Sequence, residues 1–236
     1  MFTYKGVRSD EMHLRVENSL GFDSPARDVD LVSVPGRDGD LVMDNGRFES
    51  VVRSFACRLE APDGGDVEAV IARIHDWLGT DVRYHDFTWA GDRDFVYRAM
   101  VEGSMASQRV LARYARSTIN FRLHPVKYLV SSLNERQVAS GANVVNPYHV
   151  AARPVIRVVG SGNVRINIGQ QVLDLRNVDR GITVDCETQT VTSFNGEFTE
   201  FDKMFSPFPV LNPGNNSITF SGNFQVFVTP RLGALV

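Results

Sequence analysis

Short apolar stretches separated by turn-forming residues recur through the second half of the chain, and they restrict its fold more than any other feature. The connections between them are rich in Gly, Asn and Pro, which are turn residues. No stretch with helical spacing interrupts the series. The pattern therefore predicts a β-sandwich, although periodicity alone does not choose between an immunoglobulin type and other types. The predicted strands are 154–159, 164–168, 172–175, 182–186, 191–194, 208–211, 217–220 and 224–228.

The first half is predicted to be an antiparallel sheet with one packed helix. Apolar and polar residues alternate over 48–59, which is typical of a half-buried strand. Further strands are predicted at 82–87, 95–101 and 110–123. Tyr114 falls out of phase with the end of the last strand, which predicts a bulge around residues 116–118. The fold class is therefore mainly β.

One helix is predicted over residues 66–78. Asp66 can cap its beginning, and Gly79 can stop it in a left-handed conformation. Apolar residues recur at helical spacing and form one stripe, which we expect to pack against the sheet. Removal of the Trp77 side chain is expected to cost ~3–5 kcal/mol. The stripe residues singled out as the packing core are Val70, Ile71, Ile74, Trp77 and Leu78.

The run VPGRDGDL at residues 34–41 contains two turn dipeptides separated by one arginine. Apolar residues flank it on both sides, which predicts a β-ribbon whose tip carries Arg37 and Asp38. A second hairpin turn is predicted at the DNG sequence of residues 44–46. An ordinary hairpin with solvated charges and a ribbon used for contact both fit this pattern.

Two domains are predicted, 1–130 and 131–236. Between Tyr128 and Val150 the sequence becomes polar and turn-prone, as in a linker. The tail, 229–236, is apolar and ends without polar residues. We expect it to pack back on the first domain, because a free apolar tail is unfavourable in water.

Composition is that of a soluble globular protein, with 43% hydrophobic and 22% charged residues. A formal charge of -3 gives no generic affinity for nucleic acid or an anionic membrane. No run approaches the roughly 18 apolar residues of a spanning helix, and no secretory signal is visible. We therefore expect no membrane insertion. Cys57 and Cys186 are expected to be reduced structural thiols.

No motif for catalysis, cofactor binding or metal binding stands out, and we expect no enzyme. The histidines are scattered, and the aspartates near residues 38–44 lack the spacing of an EF-hand. Acid–base candidates exist, but sequence does not place two carboxylates opposite each other, as glycoside hydrolysis requires. The candidates are His85, Asp86, Glu197, Glu200 and Asp202.

Several short segments stand in order along nearly the whole chain: FTYKGVRS at 2–9, VPGRDG at 34–39, FRLHP at 121–125, NP at 146–147, RPVI at 153–156, GSG at 160–162 and LNPGNN at 211–216. Together they resemble the distal tail protein (Dit) family of long, non-contractile-tailed bacteriophages. The resemblance implies a galectin-like or carbohydrate-module-like sandwich in the second domain.

The resemblance also implies an architectural function, that of a homo-hexameric ring at the tip of the phage tail. The ring would join the major tail protein of the tube to the tail-associated hub protein. Fibre or receptor-binding proteins, or a host glycan, are further implied partners. DNA would only pass through the lumen. The protein would be made in the host bacterial cytoplasm and reside in the virion.

Ring closure requires unlike faces of neighbouring subunits to meet. A tip with both charges suits such a contact, because charge complementarity fixes register. Arg37 and Asp38 are therefore the candidate subunit interface, and reversing the charge at Arg37 is expected to impair assembly. Four arginines lie close together in the sequence and form a basic cluster: Arg109, Arg113, Arg116 and Arg122. Such a cluster fits a nucleic-acid patch, a ring lumen or subunit salt bridges. Of these uses we favour the last two, and we expect Arg109 and Arg113 to share one face of one strand.

A carbohydrate-binding module is the alternative function. It would need exposed aromatic platforms on the second domain, whereas core packing is the default expectation for each aromatic residue. The candidates are Tyr148, Phe194, Phe198, Phe201 and Phe205.

Overall fold

The structure is a computed structural model that describes residues 1–17 and 23–236. The described chain divides into two compact units. The first comprises Met1–Lys127 with Leu235–Val236, and the second comprises Tyr128–Ala234. The division falls within a few residues of the boundary expected near Val130. The backbone N–H of Val236 donates to the carbonyl of Pro125 at 3.0 Å.

The first unit is built on an antiparallel sheet whose strands follow the order β2-β1-β7-β8-β10-β6-β3, with β9 beside β10. These strands are β1 (Phe2–Tyr4), β2 (Val7–Arg8), β3 (Leu14–Val16), β6 (Val51–Glu60), β7 (His85–Trp89), β8 (Asp92–Val101), β9 (Ala106–Leu111) and β10 (Tyr114–Leu123). The remaining strands of this half are β4 (Arg27–Val32), β5 (Leu41–Phe48) and β11 (Val126–Leu129).

An aromatic cluster forms the centre of the first core. The rings of Phe2, Phe55, Phe87 and Phe121 lie with centroids 5.1 to 5.7 Å apart. Strand β6 alternates strictly, because every second residue from Val51 is buried and the others face outward or are half-buried. The half-buried strand predicted there is confirmed.

Helix α1 (Val67–Gly79) packs on the inner face of this sheet. The Asp66 side chain accepts a hydrogen bond from the backbone N–H of Glu68 and caps the first turn. The predicted helix and its N-terminal cap are confirmed. The left-handed stop expected at Gly79 is wrong, because Gly79 is the last helical residue and Thr80 follows it in a right-handed conformation.

Two expectations for the end of the first half are wrong. Residues 110–123 are not one strand, since β9 ends at Leu111 and β10 begins at Tyr114. The bulge expected at residues 116–118 lies instead between Tyr114 and Ala115, where the pairing of β10 with β9 shifts register, while β10 pairs with β6 in unbroken register. Tyr114 is out of phase because the small residues Ala115 and Ser117 take the inward positions, which apolar patterning does not reveal.

Strands β4 and β5 form the predicted ribbon as a separate two-stranded sheet. The expected second hairpin turn at residues 44–46 is wrong, because β5 continues through it to Phe48. Gly46 has a φ of 71°, and its N–H donates to the Asp44 side chain at 2.8 Å. The Asn-Gly pair therefore makes a local irregularity inside a strand rather than a reversal of the chain.

The second unit is a sandwich of two antiparallel sheets, ordered β12-β20-β14-β17-β18 and β13-β19-β15-β16. Both sheets contribute to one apolar core. The strands are β12 (Arg136–Val138), β13 (Ala142–Asn146), β14 (Val155–Val159), β15 (Gly162–Ile168), β16 (Gln171–Val178), β17 (Gly181–Asp185), β18 (Thr190–Ser193), β19 (Gly214–Phe220) and β20 (Gln225–Thr229); β21 (Gly233–Leu235) follows. The mainly β fold with one packed helix is thus confirmed.

Two details of the second unit differ from expectation. The polar stretch interpreted as a linker supplies β12 to one sheet and β13 to the other. The strand expected at 208–211 is reduced to a single bridge between Leu211 and Ala152. Asn146, at the end of β13, shows how a polar residue of this stretch fits inside the sandwich, because its buried amide donates to the carbonyls of Val150 and Leu211.

Candidate self-association surface

The β4–β5 ribbon carries large apolar side chains on both of its faces. Leu31 lies opposite Val42 on one face, and Val32 lies opposite Leu41 on the other. The side chains of Leu31 and Val42 are 63% and 61% exposed. Contiguous exposed apolar surface of this kind marks an interaction site in a soluble protein. The exposed apolar residues of the ribbon and its tip are Val29, Leu31, Val32, Val34, Leu41, Val42 and Met43.

Polar side chains, rather than a core, hold the two strands of the ribbon in register. The Arg27 guanidinium donates from Nε to both carboxylate oxygens of Asp44 at 3.1 Å. Arg47 donates to Asp28 at 2.5 Å, and the Asn45 amide donates to Asp28 at 3.0 Å. Hydrogen bonds from Asn45 and Arg47 lower the pKa of Asp28, and the one from Arg27 lowers that of Asp44. Both carboxylates therefore stay charged at neutral pH.

Arg37 and Asp38, the predicted interface residues, lie at the tip of the ribbon. Gly36 and Gly39 beside them have φ values of 80° and 76°, which let the chain reverse tightly. Both charged side chains are exposed, and neither makes an ion pair with any described residue. Their use in a subunit contact stays a prediction.

The helix residues named from the sequence all contact the first core. Val70, Ile71, Ile74 and Leu78 are buried, whereas Trp77 is partly buried. The Trp77 ring stacks on Phe2, with centroids 6.0 Å apart and planes 10° apart. Its Nε1–H donates to the carbonyl of Tyr4 at 3.3 Å.

Most arginines of the basic cluster are paired within the chain. Arg109 lies 3.7 Å from the carboxylates of both Asp66 and Glu68, and Arg113 lies 2.8 Å from that of Asp63. Arg122 donates to Glu102, whereas Arg116 is exposed and pairs with no described carboxylate. The expectation that Arg109 and Arg113 share one strand is wrong, because Arg113 lies in the turn between β9 and β10.

The acid–base candidates make local contacts. His85 Nε2 lies 2.9 Å from Asp81 rather than from Asp86, which pairs across the sheet with Arg98. In the second unit, Lys203 donates to Glu200 at 2.6 Å, and Asn195 donates to Glu197 at 2.6 Å. Such pairs are typical of turns and strand edges.

Within residues 1–17 and 23–236, no group of three or more His, Cys, Asp or Glu side chains is arranged to hold a metal ion. The same residues include no helix that is long and apolar enough to span a membrane. Cys57 and Cys186 are both buried and free, one in each unit. Burial raises the pKa of each thiol to about 12, so both stay protonated and unreactive at neutral pH.

The segment after β18 exposes four phenylalanines, for which the expectation of core packing is wrong. Phe194, Phe198, Phe201 and Phe205 are 47%, 67%, 49% and 56% exposed. Strand β18 ends at Ser193, so the alternation that would have buried them does not continue. Tyr148, by contrast, packs partly buried against the second core.

No protein-family model and no curated protein matches the chain significantly. Among solved structures, the Dit protein of phage SPP1, described as a paradigm of the hub adsorption apparatus in phages that infect Gram-positive bacteria, matches with a TM-score of 0.77. This match has 14% identity and covers 96% of each chain. The activated phage p2 baseplate matches at 6% identity, over 92% of this chain and 90% of that chain, with TM-scores of 0.48 with Sr and 0.46 with Ca. The chain therefore has the Dit fold, as the resemblance in its sequence predicts.

Proposed function

We propose that this chain is a structural virion protein, a hexameric hub at the distal end of a siphophage tail. It joins the tail tube to the baseplate or to tail-fibre and tail-tip proteins. The observation that carries the proposal is the match to SPP1 Dit over 96% of both chains, because it includes both units and not one common module alone. The protein acts by assembly and not by catalysis.

The ribbon supports self-association as the basis of this function. A two-stranded hairpin is at best marginally stable alone in water, and here both faces carry exposed apolar side chains. Packing of the ribbon against an adjacent subunit would cover them. Because the ribbon and the surface that receives it are different, the contact is heterologous and repeats around a closed ring.

The partners of the ring follow from its place in the tail. One side binds the major tail protein, and the other binds the tail-associated hub protein or fibre and receptor-binding proteins. DNA only passes through the lumen. The protein is made in the host cytoplasm and resides at the tail tip.

Native mass spectrometry and negative-stain imaging of the purified full-length chain test the proposal. We expect a six-fold ring with six times the 26.3 kDa subunit mass. A chain that stays monomeric at high concentration would contradict it.

Reversal of the tip cation tests the assigned interface. Arg37→Glu is expected to reduce the hexamer fraction, measured by native mass spectrometry, because the Arg37 side chain is exposed and makes no ion pair within the described chain. An undiminished hexamer would remove Arg37 from the interface.

Carbohydrate binding by the second unit is the second candidate function, and the four exposed phenylalanines favour it. Aromatic faces that are free of the core can stack on sugar rings. A glycan array with the full-length chain and with a Phe198→Ser and Phe201→Ser variant tests this, because the Arg176 guanidinium stacks on the Phe205 ring. Binding that the variant loses would support the candidate, and an array without signal would refute it.

A further inference from the structure

Three arginines lie side by side across the outer face of the first unit's sheet. Arg15 on β3 is the direct cross-strand partner of Arg58 on β6, and Arg58 is the direct partner of Arg116 on β10. Because directly opposite residues project from the same face, all three point away from the core. All three are exposed. We call Arg15, Arg58 and Arg116 the arginine row.

The arginine row is unfavourable in the isolated chain. Like charges directly opposite each other destabilise a sheet. Arg58 approaches the Glu60 carboxylate only to 3.5 Å, and neither the Arg15 nor the Arg116 side chain makes an ion pair with a described residue. An arrangement that costs stability in one subunit indicates that an anionic group covers the row in the assembly.

The surroundings of the row favour a small group of carboxylates over a nucleic-acid backbone. Glu60 lies beside Arg58, and Glu17 follows β3 at a position whose backbone bonds to Ala56 next to the row. These carboxylates would repel an extended chain of phosphates, and the net charge of -3 adds no long-range attraction for one. Two acidic side chains carry fewer charges than a chain of phosphates and can lie over the guanidinium groups, so these carboxylates repel them less.

We propose that the arginine row binds the acidic ribbon tip of a second copy of this chain. The tip presents Asp38 and Asp40, both exposed and without an ion-pair partner among the described residues. Asp38 and Asp40 flank the bend at Gly39, so they lie no farther apart than the ~7 Å between alternate residues of an extended chain, and three adjacent strands place the row over ~10 Å. Two carboxylates therefore reach three guanidinium groups.

Charges of opposite sign also meet at the edge of the contact between the tip and the arginine row. Arg37, next to Asp38, meets the carboxylates of Glu17 and Glu60 that flank the row. The acidic tip and the basic row are different surfaces of one chain, so each subunit offers one and receives the other. The inference rests on the proposed ring, to which it adds the two surfaces that meet.

Charge reversal of each surface tests the pairing in the full-length protein. The tip variant carries Asp38→Arg and Asp40→Arg, and the row variant carries Arg58→Glu and Arg116→Glu. When either variant is present alone, its tip and its row carry the same charge and repel each other at every contact. The protein concentration for half assembly is therefore expected to rise at least about tenfold. Mixed one to one, the two variants present complementary charges at every contact. The mixture is expected to recover the wild-type assembly with strictly alternating subunits.

Matched controls separate this effect from loss of charge in general. Asp179→Arg with Asp202→Arg changes two exposed acids of the second unit, and Arg83→Glu with Arg93→Glu changes two exposed arginines outside the row. Both controls are expected to assemble like wild type. Cooperative thermal unfolding of the tip and row variants shows that they fold, as expected for changes at exposed positions.

The outcomes distinguish the inference from the proposed function. If wild type remains monomeric, the ring itself is refuted. If wild type assembles but either variant does so equally well, or the mixture fails to recover, the pairing is refuted and the ring stands. A final experiment measures binding of a short, fluorescently labelled DNA duplex by fluorescence anisotropy. DNA binding that the row variant loses while its assembly is intact would assign the row to nucleic acid and overturn the inference.

Discussion

Trp77 holds helix α1 to the sheet through two different contacts, a stacked ring and a hydrogen bond to the first strand. Trp77→Ala removes both and leaves a cavity beside Phe2. Because Trp77 is partly rather than fully buried, we expect a loss of about 3 kcal/mol, at the lower end of the range for large-to-small core changes. Urea unfolding followed by the fluorescence of Trp89 measures it.

Two variants on the same helix show what the loss consists of. Trp77→Phe keeps an aromatic ring against Phe2 but loses the hydrogen bond. The lost hydrogen bond is expected to lower the unfolding free energy by about 1 kcal/mol, in addition to the cost of the smaller ring. Asp76→Ala, at the exposed residue immediately before Trp77, is expected to change stability by less than about 0.5 kcal/mol. A Trp77→Ala protein as stable as Asp76→Ala would show that the helix does not pack through Trp77.

Asp185 makes the second unit sensitive to acid. Burial alone raises the pKa of Asp185, but two hydrogen bonds from Arg231, at 2.7 and 3.0 Å, and two backbone N–H groups outweigh it, so the pKa is lowered. As the pH falls, the unfolded chain takes up this proton first. The stabilisation is therefore complete above the ordinary aspartate pKa of about 4 and is lost as the pH falls below it.

Calorimetric unfolding between pH 7 and pH 3 checks this sign. Asp185→Asn is expected to cost about 2 kcal/mol at pH 7, because Arg231 then keeps only the Glu187 carboxylate at 3.2 Å, and to flatten the acid dependence. Asp179→Asn, at an exposed aspartate, is expected to keep the wild-type dependence. A steeper acid transition in Asp185→Asn would contradict the assignment.

At the scale of elements, the ribbon is stabilised by assembly rather than by its own chain. Leu31 and Val42 face each other on one of its surfaces and touch no core cluster of the described residues. Leu31→Ser with Val42→Ser is therefore expected to leave the unfolding free energy of the monomer within about 0.5 kcal/mol of wild type. The concentration for half assembly is expected to rise tenfold or more, measured by light scattering.

A matched pair elsewhere provides the control for that result. Val110→Ser with Leu111→Ser changes two exposed apolar residues at the end of β9 and is expected to leave assembly unchanged. If the ribbon variant assembles normally, the apolar faces of the ribbon are not the contact surface.

Elements with a strong periodic signal were predictable from the sequence. Helix α1 has an apolar stripe, a capping aspartate and a terminal glycine, and strand β6 alternates without interruption. Turn dipeptides gave wrong predictions where contacts with a neighbouring strand decide the backbone conformation. The Asn-Gly pair at residues 45–46 lies within a strand because Asp44 before it bonds to Arg27 of β4 and Arg47 after it bonds to Asp28 of β4.

The candidate surfaces were only partly predictable, for a similar reason. The charged ribbon tip is visible in the sequence as two adjacent turn dipeptides. The arginine row is not, because Arg15, Arg58 and Arg116 are far apart in the chain and only strand register brings them together. The exposure of the phenylalanines after β18 was not predictable either, since an apolar residue beyond the end of a strand has no periodicity that shows whether it is buried.

At the scale of the whole molecule, apolar and charged contacts have separable effects on assembly. Burial of the ribbon's apolar faces provides affinity, which salt does not screen. The tip and the arginine row provide register and attraction at a distance, which salt does screen. Raising NaCl from about 0.05 to 0.5 M is therefore expected to slow association at least about tenfold while the final assembled fraction stays nearly constant. Stopped-flow light scattering measures the rate, and native mass spectrometry after equilibration measures the fraction. Assembly that dissolves in salt at an unchanged association rate would mean that ion pairs, and not the apolar ribbon, hold the subunits together.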